Sequence, residues 1–104
     1  MTQNSFAVTV ENTLNTLMEQ VEEAAPEVEG DLVDSVLTLL LPDDSQIIIN
    51  RQEAVRQIWL ACSDGPARFD QVGEAWLDSQ SHEPLNATLA RLLGKRLGRS
   101  ITLG

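Results

Sequence analysis

A chain of 104 residues with a formal charge of -9 has room for one domain around one core, and its acidity argues against nucleic acid as a partner, because like charges repel a phosphate backbone. Its one cysteine, Cys62, excludes an intrachain disulfide, and no apolar run is long enough to span a membrane. With neither a basic n-region nor an arginine-rich transit segment at the N-terminus, the expectation is a cytoplasmic protein forming a single domain over 1–104.

Phe6, Val10, Leu14, Leu17, Met18 and Val21 recur at spacings of three and four, one stripe of an amphipathic helix, with Glu11, Glu19, Glu22 and Glu23 projecting from the other face. Asn4 or Ser5 is placed to cap its start, and Pro26 stops it by disfavouring the α region at Ala25. Glu27 to Leu32 alternates acid with small or apolar residue, as a short edge strand with one wet face does. Val36 to Leu41 is a stronger strand. Pro42-Asp43-Asp44-Ser45 then supplies turn chemistry for a hairpin into Gln46 to Asn50.

In Gln46-Ile47-Ile48-Ile49-Asn50-Arg51-Gln52 the period of two puts Ile47 and Ile49 on one face and Ile48, Asn50 and Gln52 on the other. The same parity separates Ile58 and Leu60 from Gln57, Trp59 and Ala61. If both aliphatic sides face one core, the outer side of the sheet displays Asn50, Gln52, Gln57 and Trp59 together. Ser63 to Pro66 is a turn into the strand Arg68 to Val72, and Gly73-Glu74 joins that strand to Ala75 to Asp78. After the polar loop Ser79 to His82, a second helix from about Glu83 to Leu97 carries the stripe Leu85, Leu89, Leu92, Leu93 and Leu97, with Pro84 in its first turn and Gly98 as its stop. Arg91, Lys95, Arg96 and Arg99 complement the dipole at its end. Ile101-Thr102-Leu103 packs back on the core.

Helix, about six antiparallel strands, helix: this order argues for α+β, a two-layer α-β sandwich in which the N- and C-terminal helices cover one face of a meandering sheet.

Catalytic constellations are hard to build from this chain. His82 is alone in a polar loop, where it reads as solvated, and Cys62 reads as a small hydrophobe near a strand end. Gly-rich phosphate loops, Cys-x-x-Cys pairs and His-Glu-x-x-His motifs are lacking. Trp76 reads as a packing residue.

The acids are concentrated instead. Residues 1–50 hold ten Asp or Glu and no base, whereas residues 51–104 hold six acids and all seven bases. Glu19 with Glu22 and with Glu23 sets like charges side by side on a helix, against a penalty of a few tenths of a kcal/mol per pair. Glu27, Glu29 and Asp31 follow on the first strand, so helix rim and strand edge can merge. Three readings stay open for such a surface: a solvated acidic face, a weak oxygen-only site for a hard cation completed by water, or a docking site for a basic partner.

The run Ile47 to Glu53 followed by Gln57-Ile58-Trp59-Leu60-Ala61, with Arg68-Phe69-Asp70 and Trp76 after it, resembles the signature strands of the frataxin family, in particular the bacterial, CyaY-type frataxins. Asn50-x-Gln52-x(4)-Gln57-x-Trp59 within the helix, strands, helix layout carries the resemblance, which covers nearly the whole chain. It implies an accessory and regulatory protein of iron-sulfur cluster assembly that binds Fe2+ and Fe3+ weakly on an acidic ridge. By position that ridge comprises Glu19, Glu22, Glu23, Glu27 and Glu29, with Glu11 and Asp31 as additional members. It further implies contact with the cysteine desulfurase and the scaffold protein through Asn50, Gln52, Gln57, Trp59 and Arg68. A monomer in which iron can drive oligomers is expected, and not an enzyme, weak ferroxidase chemistry being the one catalytic option. The alternative is a metal-independent acidic module that regulates a basic partner.

Overall fold

The first apolar stripe becomes the inner face of helix α1 (Phe6–Ala24) in a computed structural model whose described residues are 6–103. Phe6, Val10, Leu14, Leu17 and Val21 are buried, and Met18 is partly so. The helix closes with Ala25 N donating to the Val21 carbonyl at 2.7 Å, one residue before Pro26. The expected caps, Asn4 and Ser5, lie outside the described residues.

Six strands follow: β1 (Glu29–Val33), β2 (Val36–Leu40), β3 (Gln46–Gln52), β4 (Gln57–Ala61), β5 (Ala67–Val72) and β6 (Ala75–Asp78). Each pairs antiparallel with its neighbour in sequence, giving one sheet in the order β1-β2-β3-β4-β5-β6. Helix α2 (Leu85–Leu97) joins α1 on the inner face, where Leu37, Leu39, Ile49, Ile58, Leu60 and Phe69 meet Leu14, Leu89 and Leu93 in a core from which water is excluded. Two helices on one face of a six-stranded antiparallel sheet is the sandwich expected from the order of elements.

Strand β1 begins two residues later than the alternation of acids predicts. Val28 N donates to the Ala25 carbonyl at 3.0 Å and its side chain is buried, so Glu27 stands on the α1–β1 corner and not in the strand. Gly30 then allows β1 to close on α1: a Cβ there would lie 3.1 Å from Met18 Cγ.

Between β1 and β2, Asp34 and Ser35 have φ of 52° and 62°, and Val33 pairs with Val36, the arrangement of a two-residue type I′ hairpin. Neither residue is glycine, and each left-handed residue costs about 1–2 kcal/mol. Bonding offsets the strain. The buried Ser35 hydroxyl donates to Glu11 Oε1 at 2.8 Å, and the Ser35 carbonyl accepts from Arg51 N at 3.2 Å.

Helix α2 starts at Leu85, two residues later than expected, so Pro84 precedes its first turn in an extended conformation, and Gly98 ends it at φ 72° with its amide donating to the Gly94 carbonyl at 2.9 Å. The chain then folds back as expected, burying Leu103, whose carbonyl accepts from Asn86 Nδ2 at 3.0 Å. Gly94 makes that return feasible, because a Cβ on it would stand 2.9 Å from the Arg99 carbonyl oxygen.

The basic end of α2 does more than complement a dipole. Lys95 and Arg96 pair with Asp64 at 3.0 and 3.2 Å, Arg96 also bonds the Ser63 hydroxyl and lies 3.8 Å from Asp43, and Arg99 pairs with Glu27. One helix end thus braces the β4–β5 turn, the β2–β3 turn and the α1–β1 corner. At the other end of α2, Arg91 holds Glu83 at 2.9 Å.

These pairs make stability pH-dependent. The carboxyls of Glu27, Asp43, Asp64 and Glu83 all sit below their ordinary values, held there chiefly by hydrogen bonds from the Glu27 backbone amide, Ser45, Lys95 and Arg91 respectively. A carboxyl that is more acidic when folded binds protons more readily when unfolded, so its contribution is present above the unfolded value and is lost as pH falls through the folded one. The melting temperature is expected to drop between about pH 5 and pH 3, and less steeply at high salt, where exposed pairs are already screened. Thermal melts across pH at two ionic strengths check this; a flat profile contradicts it. No helix among the described residues is long and apolar enough to cross a membrane.

Candidate functional site

Strand register gathers the amide and aromatic residues of the outer face. Asn50 pairs with Trp59 and Trp59 with Arg68, forming one row across β3, β4 and β5; Gln52 pairs with Gln57 and Gln57 with Asp70, forming the next. All five residues expected on this face therefore lie in two adjacent rows. Period two delivers the outcome, since Ile47, Ile49, Ile58, Leu60 and Phe69 on the same strands are buried on the other side.

A bonded network fixes the face. Trp59 Nε1 donates to Gln57 Oε1 at 2.8 Å, and Gln57 Nε2 donates to Asp70 Oδ1 at 2.9 Å. The Arg68 guanidinium carbon stands 4.7 Å from the Trp59 ring centroid, a cation–π contact of about 0.5–1 kcal/mol at an exposed site. Among the described residues no carboxylate is within ion-pair distance of Arg68. The indole N–H is already satisfied, so what the surface offers a partner is the ring, the free valences of the guanidinium and the amides of Asn50 and Gln52. A depression of about 300 Å³ beside Arg68, bounded by Pro66, Ala67, Ser79 and Gln80, extends the surface.

Sequence reasoning left out Asp70, although its parity with Arg68 was enough to place it here. Val33 and Val36 pair with each other, and Val36 pairs with Asn50, so the Asn50–Trp59–Arg68 row continues onto two exposed valines at the β1 edge.

The acidic surface is arranged differently. Glu19, Glu22 and Glu23 are exposed on α1, and Glu29 and Asp31 are exposed on β1, which packs beside that helix through Gly30 and Met18. Two other expected members have protein partners: Glu11 accepts from Ser35, and Glu27 is gripped by Arg99 Nη2 at 2.9 and 3.0 Å. Among the described residues no three His, Cys, Asp or Glu side chains converge as a ready-made metal cage. The donor set is oxygen only, which suits a hard cation held by one or two carboxylates, with water completing its shell.

His82 is exposed at φ 65°, and Cys62 is half-buried with Sγ 3.6 Å from the Gly65 carbonyl. Trp76 packs as expected: it is buried, meets Phe6 edge-on at 6.0 Å and donates to Thr13 Oγ1 at 3.2 Å. A groove of about 340 Å³ between α1, β6 and the start of α2, walled by Thr13, Leu17, Gln20 and Trp76, opens on the helical side.

A family model described as a frataxin-like domain matches residues 1–99. The chain belongs to the frataxin family, in its bacterial, CyaY-type branch. The iron-sulfur cluster assembly protein CyaY of Thioalkalivibrio sulfidiphilus is 43% identical over 103 residues, covering 95% of this chain and 96% of the relative. Its namesake from Ralstonia nicotianae is 33% identical over 107 residues, covering 99% and 95%. Among solved structures, frataxin from Psychromonas ingrahamii superposes with a TM-score of 0.88 at 25% identity, over 98% of this chain and 97% of that one. Trimeric frataxin from the yeast Saccharomyces cerevisiae, in a ferrous complex, gives 0.72 at 26% identity, over 95% and 91%. The sandwich described above is thus the frataxin fold, with the amide-tryptophan-arginine rows on its sheet and the carboxylates on its first helix and edge strand.

Proposed function

We propose that this frataxin-family chain is a cytoplasmic accessory protein of iron-sulfur cluster assembly, one domain over 1–104, that carries two surfaces, which adjoin along β1. Iron is cargo in this reading. Ferrous or ferric ions bind weakly, through carboxylate and water, along Glu19, Glu22, Glu23, Glu29 and Asp31, with Glu11 and Glu27 at the margin. The cysteine desulfurase and the scaffold dock on Asn50, Gln52, Gln57, Trp59 and Arg68, steered by attraction between the acidic pole and a basic partner surface. Regulation and delivery follow from binding alone, without a catalytic group.

The observation that carries this reading is the assembly of the five outer-face residues into two adjacent rows on strands whose other side buries Ile47, Ile49, Ile58, Leu60 and Phe69. Relatives named for iron-sulfur cluster assembly and a yeast relative in a ferrous complex support the iron half. The yeast relative is trimeric, which fits oligomers formed under iron.

An anaerobic ferrous titration followed by amide NMR tests the ridge: resonances of Glu19, Glu22 and Glu23 are expected to move first. Uniform or absent shifts remove the ridge as the site.

A second reading is favoured by the absence of converging acidic side chains among the described residues, namely that the ridge serves only as an electrostatic docking surface. It predicts that Glu19→Lys combined with Glu22→Lys abolishes desulfurase binding while iron leaves the wild-type complex unchanged at every salt concentration. Under the iron reading, by contrast, added iron shifts the affinity of the wild-type complex.

A further inference from the structure

The ridge implied by the family includes Glu27, yet a cation of the protein itself already sits on that residue. Arg99 Nη2 reaches Oε1 at 2.9 Å and Oε2 at 3.0 Å, Nε lies 3.3 Å from Oε2, and the same Nη2 stands 3.2 Å from the carbonyl of Ala24, the last residue of α1. A planar guanidinium held by both carboxylate oxygens is the strong form of such a pair. It also meets the negative end of the α1 dipole.

Three features bring Arg99 to that corner. Gly98 turns the chain out of α2 in the left-handed region, Gly94 lacks the Cβ that would strike the Arg99 carbonyl, and the buried Leu103 with its bond from Asn86 fastens the segment beyond. By contrast Glu19, Glu22, Glu23 and Glu29 appear in none of the ion pairs among the described residues.

We infer that Arg99 is an internal counter-ion of the ridge, which withholds Glu27 from an incoming metal ion and ties the ridge to the docking of residues 99–103. The inference rests on the ridge being the iron site proposed above. A ferrous ion that takes Glu27 must first release the guanidinium, and with it the link between the C-terminal segment and the end of α1. Iron therefore fills the other carboxylates first, and Glu27 answers only when the tail lets go. In this way one residue sets how many ligands the ridge presents.

The test has two arms. In the first, anaerobic ferrous titrations by amide NMR compare the wild type with Arg99→Gln. In the wild type the Glu27 resonance is expected to stay still while Glu19, Glu22 and Glu23 move. In Arg99→Gln it joins them, and the apparent affinity tightens about two- to fivefold, the size of one exposed ion pair. Arg91→Gln removes the same charge beside Glu83 and is expected to leave the Glu27 response as in the wild type; tightening equal to that of Arg99→Gln would reduce the effect to net charge and overturn the proposal. In the second arm, without metal, amide hydrogen exchange at Gly98 and Arg99, whose N–H groups both donate to the Gly94 carbonyl, is expected to quicken in Arg99→Gln and in Glu27→Gln, and to quicken no further in the double variant. Early movement of Glu27 in the wild type, unchanged exchange in either single variant, or additive exchange in the double variant would each overturn the proposal. Coupled exchange with no ferrous response in any variant overturns the iron site, and the competition for Glu27 with it, while upholding the tie between Arg99 and the tail.

Discussion

Trp59→Ala is expected to weaken binding to the purified cysteine desulfurase by at least about thirtyfold, the loss that marks an interface anchor. The ring is half-buried on the outer face, its N–H is bonded to Gln57 and its face is covered by Arg68. Removing it takes away the aromatic surface, uncovers Arg68 and leaves Gln57 held by Asp70 alone. Folding should suffer less, by a margin below the roughly 3–5 kcal/mol of a core aromatic deletion, because no part of the inner core contacts this side of β4. Calorimetric titration and a denaturation midpoint read the two effects separately. A stability loss of full core size would mean that the ring supports the fold and not the partner.

Trp76→Ala should give the opposite result. Trp76 is buried at the rim of the core, edge-on to Phe6, and bonded to Thr13 of α1, so its deletion opens a large cavity between the first helix and the last strand. A loss of about 3–5 kcal/mol is expected, a large share of the 5–15 kcal/mol available to a small domain. Desulfurase affinity per folded molecule should remain near that of the wild type, since the outer rows do not touch Trp76. Urea denaturation of the two variants side by side decides the matter: similar midpoints would show that the two tryptophans do not divide into packing and recognition.

Much of this arrangement is legible in the sequence because period and parity are local. The 3.6-residue stripes from Phe6 to Val21 and from Leu85 to Leu97 found both helices, and alternation through Ile47 to Gln52 and Gln57 to Ala61 sorted core from outer face without any tertiary information. Local patterns failed where long-range partners decided. The acid-apolar alternation at Glu27 read as strand, but the buried Val28 and its turn bond hold Glu27 on a corner. Asp34 and Ser35 carry no glycine to announce a left-handed hairpin, and the compensating bonds come from Glu11 and Arg51, 24 and 16 residues distant from Ser35. Likewise the bases at the end of α2 look like dipole partners until the fold brings Asp43, Asp64 and Glu27 within reach. The ridge was the least legible part, since composition counts carboxylates but not which of them already have a cation.

The unbroken strand order carries a consequence for how the chain reaches this state. Every strand pairs with its immediate neighbour, so the sheet can be assembled as successive hairpins, each closing a short loop on a scale of about 1–10 μs. The two ends of the protein are different. Trp76 to Thr13 spans 63 residues and Arg99 to Glu27 spans 72, so closing them in the unfolded chain costs more entropy than any of the hairpins. The C-terminal clasp is thus expected to form late in folding, and the segment it fastens sits against the acidic ridge.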